Sequence, residues 1–178
     1  MSEAANFPVV EIFSSLQGEG ANTGRPAVFV RLAGCNLACP WCDTDHSHSE
    51  PMTAEAITDT VRACSPEKSV IVTGGEPFIH ENLGDLLRAF KDMGYWIAIE
   101  SNGLAAPPEE TRRLIDYLAV SPKALYADLY DADRMVTSAD EVRVVVDGDV
   151  QSFCERIRAT VSARFFFLSP CERAGDFN

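Results

Sequence analysis

Six short apolar runs, each ending in a cluster of small and polar residues, constrain the fold of this chain more than any other feature. Runs of this kind are typical of strands that are buried on both faces, as in a parallel sheet. Consecutive parallel strands need crossover connections, and helical patterns do lie between the runs. The runs span residues 26–33, 69–72, 95–100, 117–120, 142–146 and 164–168.

Four segments between the runs carry helical patterns. The segment 53–64 opens with a Thr as a candidate cap, and 82–93 places four apolar side chains on one stripe. The segment 107–116 has prolines and acids in its first turn, and 149–161 is the fourth. This alternation predicts an α/β fold. Because six strands are fewer than the eight of a closed barrel, we expect an open partial (β/α) barrel of about six mostly parallel strands.

Length and charge exclude several classes of protein. The 178 residues suffice for one domain with a real core, and we expect a single domain over 1–178. The 15 basic and 27 acidic residues give a formal charge of −12, which disfavours binding to nucleic acid or to anionic membrane. No stretch resembles a membrane span or a signal peptide. We therefore expect a soluble, cytoplasmic protein.

Polar clusters follow the apolar runs directly. "TGGEP" (73–77), "ESNG" (100–103) and "SPK" (121–123) each begin where a run stops. In barrels and open α/β sheets, ligands bind at the carboxyl ends of the strands. The three clusters are therefore predicted to line one site.

The loop 34–48 carries Cys35, Cys39 and Cys42 in a C-x3-C-x2-C spacing. Thiolates bind zinc or iron–sulfur clusters. A [4Fe–4S] cluster on these three cysteines would have one iron without a protein ligand, free to bind a substrate or a cofactor. That open iron would turn an electron carrier into a catalyst.

A zinc site is the alternative interpretation of the same loop. His46, or else His48, could complete a Cys3His structural site. Trp41 has two interpretations as well: it packs in the core, or it forms an apolar wall against a planar group beside the metal. The loop by itself leaves both alternatives open.

The other three cysteines are scattered along the chain. Disulfide frameworks are rare in cytoplasmic proteins, so we expect Cys64, Cys154 and Cys171 to be small buried apolar side chains.

The cysteine loop resembles that of the radical S-adenosylmethionine (SAM) superfamily, in which an aromatic residue also precedes the third cysteine. "TGGEP", which begins 31 residues after Cys42, resembles the glycine-rich motif that receives the methionine amino group of SAM in that superfamily. The chemistry is reasonable, because Gly74 and Gly75 permit close approach of backbone to a ligand and Glu76 offers an anion to an ammonium group.

Further motifs resemble the 7-carboxy-7-deazaguanine synthase family. They include "LQGEG" (16–20), "WCDT" (41–44), "ESNG" and "SPK", and the similarity spans residues 9–123. The resemblance implies a radical SAM lyase that converts 6-carboxy-5,6,7,8-tetrahydropterin to 7-carboxy-7-deazaguanine with loss of ammonia, for queuosine biosynthesis. One departure is Ser101, where the family commonly has Thr.

The resemblance also implies a role for individual residues, together with a [4Fe–4S] cluster, SAM and Mg²⁺ as cofactors. Arg31 would face the substrate carboxylate, Glu100 the polar edge of its ring, and Thr44 would bind Mg²⁺. The cluster ligands would be Cys35, Cys39 and Cys42. The SAM site would comprise Trp41, Asp43, Gly75, Glu76, Ser121, Pro122 and Lys123, and the substrate site Leu16, Gln17, Gly18, Arg31, Thr73 and Glu100.

The implied partners are the pterin substrate, an electron donor such as flavodoxin or ferredoxin, and a second copy in a homodimer. Two alternatives compete with this interpretation. A glycyl-radical activase shares the cysteine loop but does not account for "LQGEG" and "CDT" (42–44). A non-enzymatic Cys3His zinc module does not account for "TGGEP", "ESNG" and "SPK".

Overall fold

The computed structural model of the protein describes residues 6–42, 44–45 and 48–171, and in this part of the chain eight strands form one sheet. The strands are β1 (Asn6–Leu16), β2 (Pro26–Leu32), β3 (Glu50–Thr53), β4 (Ser69–Gly74), β5 (Trp96–Ser101), β6 (Tyr117–Val120), β7 (Ser138–Val146) and β8 (Ser162–Pro170). The helices are α1 (Ala54–Cys64), α2 (Leu83–Asp92), α3 (Glu109–Arg112) and α4 (Gln151–Thr160).

The sheet is open and mostly parallel, in the order β3-β1-β2-β4-β5-β6-β7-β8. Strands β2 and β4 to β8 pair in parallel with their neighbours in that order, whereas β1 pairs antiparallel with both β2 and β3. The predicted α/β class and open sheet are confirmed, and all six predicted strands are present. The structure also has the antiparallel strands β1 and β3. The sequence did not predict them, because charged and polar residues interrupt their apolar positions.

The helices cover one face of the sheet. The Thr53 side chain caps α1 by accepting a hydrogen bond from Ala56 N over 3.2 Å, as its position predicts. The apolar stripe of α2 is fully buried against the sheet, and α4 buries Phe153 and Ile157 in the same core. None of the helices in the described residues is long and apolar enough to span a bilayer.

The opposite face, here called the open face, has a smaller apolar layer. Phe29, Ile71 and Ala98 lie side by side on β2, β4 and β5 in that layer. Phe13 of β1 stacks on Phe29 with ring centroids 5.2 Å apart. Because side chains alternate along a strand, the next residues on this face lie two positions further toward the carboxyl ends.

The scattered cysteines depart from their predicted burial. Cys64 is exposed at the end of α1, and Cys154 and Cys171 are half-buried. Cys154 does pack against the main core, since it lies on the inward side of α4. The prediction of a buried apolar role is wrong for Cys64, because the apolar stripe of α1 ends before it.

Candidate active site

A row of polar side chains lies on the open face, above the apolar layer. Arg31 of β2 is in register with Thr73 of β4, and Thr73 Oγ1 donates a hydrogen bond to Glu100 Oε2 of β5 over 2.9 Å. The sheet therefore brings together three of the predicted substrate residues from three separate strands. A guanidinium lies at one end of the row and a carboxylate at the other.

Glu100 is held by three side chains. In addition to the Thr73 bond, its Oε1 accepts hydrogen bonds from Gln17 Nε2 over 2.9 Å and from Arg143 Nη1 over 3.0 Å. Its side chain remains 24% exposed, so the carboxylate is partly open to the mouth of the site. Glu100 is thus a preorganised acceptor and not a solvated strand end.

The loop 17–25, between β1 and β2, crosses the open face and reaches β7. Gln17 is buried and contacts Glu100, as described above. Further along the loop, Glu19 accepts a hydrogen bond from Arg143 over 2.9 Å, and Ala21 N donates to Glu141 Oε2 over 2.7 Å. The "LQGEG" motif is therefore attached to the far side of the sheet.

Gly20 is required by this attachment. Its φ is +68°, and a Cβ at this position would lie 2.0 Å from Glu141 Oε1. No side chain fits there unless the Glu141 carboxylate moves.

Glu141 and Arg143 of β7 form the buried part of the site. The Glu141 side chain is wholly buried, and it accepts hydrogen bonds from Tyr117 OH over 2.7 Å and from Arg143 Nε. Burial, together with the bond to Glu141, raises the pKa of Tyr117. Burial also opposes the charge of Arg143, but Glu100, Glu141 and Glu19 outweigh it and raise the pKa of the guanidinium.

These two residues were not among the predicted site residues. Arg143 interrupts the apolar run 142–146, and a charged residue inside a buried strand is the signal that could have identified it. Its partners lie 43 and 124 positions away in sequence, so local patterns do not reveal them.

Arg31 lies beside Thr44, the predicted magnesium ligand. Its Nη1 donates to Thr44 Oγ1 over 3.1 Å, and its Nε forms an ion pair with Glu11 at 2.7 Å. Strands β1 and β3 cover this side of β2, so Arg31 does not lie on a sheet edge. Thr44 is buried at 8% exposure.

The glycines of "TGGEP" permit two backbone segments to touch. Gly75 N donates to Leu32 O over 2.9 Å, and Glu76 N donates to Gly34 O over 2.8 Å. A Cβ on Gly75 would lie 1.7 Å from Gly34 O, and one on Gly74 would lie 2.1 Å from Leu32 O. The motif therefore fixes the start of the cysteine loop against the end of β4.

The Glu76 carboxylate is buried at 1% exposure and ties the ends of β4 and β5 together. It accepts hydrogen bonds from Ser101 Oγ over 2.9 Å, from Asn102 N over 2.7 Å and from Phe78 N over 3.0 Å. Burial raises the pKa of the carboxyl, although these bonds act in the opposite direction. Ser101 supplies the hydroxyl that this contact uses.

The cysteine loop presents its thiols at the mouth of the site. Cys35 and Cys42 are exposed and Cys39 is partly exposed. Burial raises the pKa of both the Cys35 and the Cys39 thiol, and negative charge on a neighbouring cysteine raises it further. The thiols thus lie close enough to influence one another, and three soft donors on one exposed loop fit an iron–sulfur cluster.

The described residues do not separate the zinc alternative from an iron–sulfur cluster. Within them, no three His, Cys, Asp or Glu side chains, the three cysteines included, are gathered as a metal site, and His48 is exposed near Glu11 and Glu50. The other candidate ligand, His46, lies outside the described residues, and so does Asp43.

The "SPK" segment follows β6 at the same edge of the sheet. Lys123 Nζ donates to Ser121 Oγ over 2.7 Å, and Ser121 N donates to Ser101 O over 2.7 Å. The charge of Lys123 acts on both Cys39 and Glu76, lowering the pKa of each against the larger effect of burial. Ser121, Lys123, Glu76 and the thiols therefore share one region.

Two tyrosines after this segment support the site. Tyr130 OH donates to Asn102 O over 3.0 Å and accepts from Lys123 N over 2.9 Å, while Tyr126 OH accepts from Ala38 N in the cysteine loop over 3.3 Å. Neither tyrosine was predicted as a site residue.

The remaining predicted residues lie around these groups. Leu16 is 61% exposed at the end of β1, and Gly18 is exposed in the loop 17–25. Trp41 is half-buried in the cysteine loop, and Pro122 is buried between Ser121 and Lys123.

Comparison with known proteins agrees with this geometry. Residues 29–160 match the family model of the Radical SAM superfamily. The chain is similar to a 7-carboxy-7-deazaguanine synthase of Haemophilus influenzae, with 50% identity over 173 residues that cover 97% of this chain and 79% of that protein. A 7-carboxy-7-deazaguanine synthase of Neisseria meningitidis serogroup B is 48% identical over 177 residues, which cover 99% of this chain and 80% of that protein.

A solved structure shares the fold. The crystal structure of QueE from Escherichia coli has a TM-score of 0.73 to this chain at 24% sequence identity. The match covers 94% of this chain and 85% of that one.

Proposed function

Because the chain belongs to the 7-carboxy-7-deazaguanine synthase family of the radical SAM superfamily, we propose that it converts 6-carboxy-5,6,7,8-tetrahydropterin to 7-carboxy-7-deazaguanine with loss of ammonia. Membership in the superfamily implies SAM and a [4Fe–4S] cluster. The comparisons favour this reaction over a glycyl-radical activase and over a zinc module. We also propose that the chain forms a single radical SAM domain.

The polar row on the open face is the observation that carries the proposed substrate. Its ends are Arg31 and Glu100, with Thr73 between them on the intervening strand. A carboxypterin has a carboxylate at one end and a ring edge that donates hydrogen bonds at the other. Arg31 would bind the carboxylate through its planar fork, and Glu100 would accept from the ring edge. Gln17, with Leu16 and Gly18 beside it, would line the same substrate site.

Thr44 is the proposed protein ligand of Mg²⁺. Its hydroxyl oxygen is a hard donor, and magnesium commonly takes few protein ligands together with waters and substrate oxygens. The guanidinium of Arg31 is 3.1 Å from this hydroxyl, so a bound cation there needs an anion nearby. The substrate carboxylate would supply that anion, which makes the metal and Arg31 two halves of one carboxylate site.

Apart from Asp43, which lies outside the described residues, the residues that would hold the other cofactors follow the carboxyl ends of β2, β4 and β6. Cys35, Cys39 and Cys42 would ligate the cluster, and Lys123 lies near them. Gly75 and Glu76 would form part of the SAM site. The rest of that site would comprise Trp41, Asp43, Ser121, Pro122 and Lys123.

When bound, the cluster and SAM supply one-electron reduction and hydrogen-atom abstraction, and this chain supplies binding, orientation and exclusion of water. Arg31, Thr73 and Glu100 would hold the substrate at both ends. The carbon atom that loses hydrogen would then be kept in a fixed position. The proposal includes a flavodoxin or ferredoxin as electron donor, a cytoplasmic location and a homodimer, as expected for the family.

An anaerobic assay tests the proposal. The reconstituted protein is incubated with a reductant, SAM, Mg²⁺ and 6-carboxy-5,6,7,8-tetrahydropterin, and both 5′-deoxyadenosine and 7-carboxy-7-deazaguanine are measured. We expect both products in a Mg²⁺-dependent reaction. Formation of 5′-deoxyadenosine without the deazaguanine would show that the substrate assignment is wrong while the superfamily stands.

A further inference from the structure

One guanidinium on β7 contacts three carboxylates from three different parts of the site. Arg143 Nη1 donates to Glu100 Oε1 over 3.0 Å and to Glu19 Oε2 over 2.9 Å, and its Nε donates to Glu141. Arg143 is 7% exposed, so it is not available as a surface contact for solvent or for a large ligand. Its function must therefore act through the groups that it holds.

The three carboxylates that Arg143 contacts differ in their exposed fractions. The difference shows which carboxylate supports Arg143 and which ones can reach a ligand. Glu141 is wholly buried, Glu100 is 24% exposed and Glu19 is 60% exposed. Arg143 thus connects a buried anchor to two carboxylates that face outward. The anchor is rigid, because Tyr117 OH and Ala21 N also donate to Glu141.

The hydrogen-bond capacity of Glu100 indicates what it is held for. A carboxylate offers about four acceptor positions, two on each oxygen. Oε1 receives both Gln17 and Arg143, whereas Oε2 receives only the Thr73 hydroxyl among the described side chains. Arg143 and Gln17 therefore occupy Oε1, and acceptor capacity remains on Oε2.

The distribution of charge along the polar row indicates how a ligand would be oriented. Three carboxylates surround one guanidinium at this end of the polar row, while Arg31 lies at the other end. A ligand with a carboxylate and a donor-bearing ring edge would place the carboxylate toward Arg31 and the donors toward Glu100.

We propose that Arg143 is a positioning residue that sets ring specificity: it aims Glu100 at the amino-bearing edge of a pterin, in preference to rings with a carbonyl group there. This inference rests on the proposed function, because it names the part of that substrate which Glu100 recognises. An acceptor that the bound ligand covers discriminates against a ligand that lacks the donor, since the acceptor is then left unpaired.

Equilibrium binding of two unreactive compounds tests the proposal. The compounds are 6-carboxypterin, which has a 2-amino group, and 6-carboxylumazine, which has a 2-oxo group instead. Titrations use the reconstituted protein with SAM and Mg²⁺ under anaerobic conditions, followed by the fluorescence of the ligand. We expect the parent protein to prefer the pterin by about 100-fold.

Arg143→Met should lower the preference for the pterin from about 100-fold to a few-fold. Arg143→Lys should lower it to about tenfold, because one ammonium cannot reproduce the planar fork of the guanidinium. Arg143→Lys retains the buried charge and guards against a variant that fails to fold. Arg25→Lys is the matched control: Arg25 stacks on Trp96 at 3.5 Å and donates to Ser69, away from Glu100, so it should keep the parent preference. SAM affinity should be unchanged in every variant.

Glu100→Gln separates the positioning role of Arg143 from the proposed function of the protein. If Glu100→Gln loses the preference for the pterin but folded Arg143→Lys and Arg143→Met retain it, the positioning role is overturned and the proposed function stands. If the parent protein binds both compounds equally or binds neither, the substrate class is wrong, and the inference falls with it. In turnover, Arg143→Lys should raise KM with little change in kcat, as expected for lost binding of the substrate.

Discussion

Arg31 Nη1 donates a hydrogen bond to Thr44 Oγ1 over 3.1 Å, which joins a strand residue to the cysteine loop two positions after Cys42. The contact places the proposed ligand of the substrate carboxylate next to the proposed ligand of Mg²⁺. It means that the metal, the carboxylate and the cysteine loop cannot be treated as independent sites.

The contact makes Thr44→Val a test of the magnesium site. Removing the hydroxyl should raise the Mg²⁺ concentration needed for half-maximal activity by at least about tenfold, since the protein would lose its hard ligand. Thr44→Ser keeps the oxygen and should stay close to the parent value. Titration of activity with Mg²⁺ measures the effect. An unchanged Mg²⁺ requirement in Thr44→Val would place the metal elsewhere.

Replacing Cys39 by alanine should remove the cluster and leave the fold intact. The side chain lies on a partly exposed loop and contributes little to the core, so the thermal midpoint of the apoprotein should change by only a few degrees. Iron and sulfide analysis after anaerobic reconstitution should show loss of the cluster, and activity should be absent. Cys64→Ala, at an exposed position on α1, is the control and should reconstitute normally. Turnover by Cys39→Ala would exclude the loop from the mechanism.

Gly20→Ala should destabilise the protein by about 3 kcal/mol, because the residue has φ +68° and its Cβ would strike the Glu141 carboxylate at 2.0 Å. Chemical denaturation measures the free energy of unfolding. Gly18→Ala lies two residues away with no atom within 4 Å of the added Cβ, and it should change that energy by no more than about 0.5 kcal/mol. Equal effects at the two glycines would show that Glu141 does not hold the loop.

His80 should make the fold sensitive to mild acid. Burial lowers the pKa of this side chain below its ordinary value of 6.5, and the backbone of Ala33 only partly opposes the shift. Its buried Nε2 has no hydrogen-bond partner among the described residues. The unfolded chain therefore binds a proton at higher pH than the folded one, and the free energy of unfolding falls as pH drops below about 6.5.

Thermal melts between pH 8 and pH 5 check this sign. His80→Gln should lose stability less steeply over that range, because the titrating ring is gone. His48→Gln, at an exposed position, should follow the parent curve. A His80→Gln curve that falls as steeply as the parent curve toward acid pH would contradict the assignment.

Local patterns predicted most of the secondary structure because burial leaves its period in the sequence. The six apolar runs became β2 and β4 to β8, and the segment 82–93 became α2. The antiparallel strands β1 and β3 were missed, since their residues mix apolar with charged and polar side chains. The helix predicted over 107–116 is confined to Glu109–Arg112, because Asp116 N, directly before β6, already bonds to Ile97 O of β5.

The sequence likewise predicted some features of the candidate site and not others. Motifs with distinctive residues, such as the three cysteines and "TGGEP", indicated the superfamily and the neighbourhood of its cofactors, and the family is confirmed. The roles of individual side chains remain predictions, and the contacts of Glu76 show why. A carboxylate read from the motif as a ligand for an ammonium group is also the buried tie between β4 and β5.

The sequence by itself determined which chemistry this protein can perform, because thiols, glycines and an arginine near the cysteine loop have properties that do not depend on the fold. Only the tertiary structure decided which side chains meet. Arg143 contacts Glu19 across 124 positions and Glu100 across 43, since the strand order brings β7 opposite the loop that leaves β1. Hydrogen bonds act over about 3 Å of space, and distance along the chain does not record them.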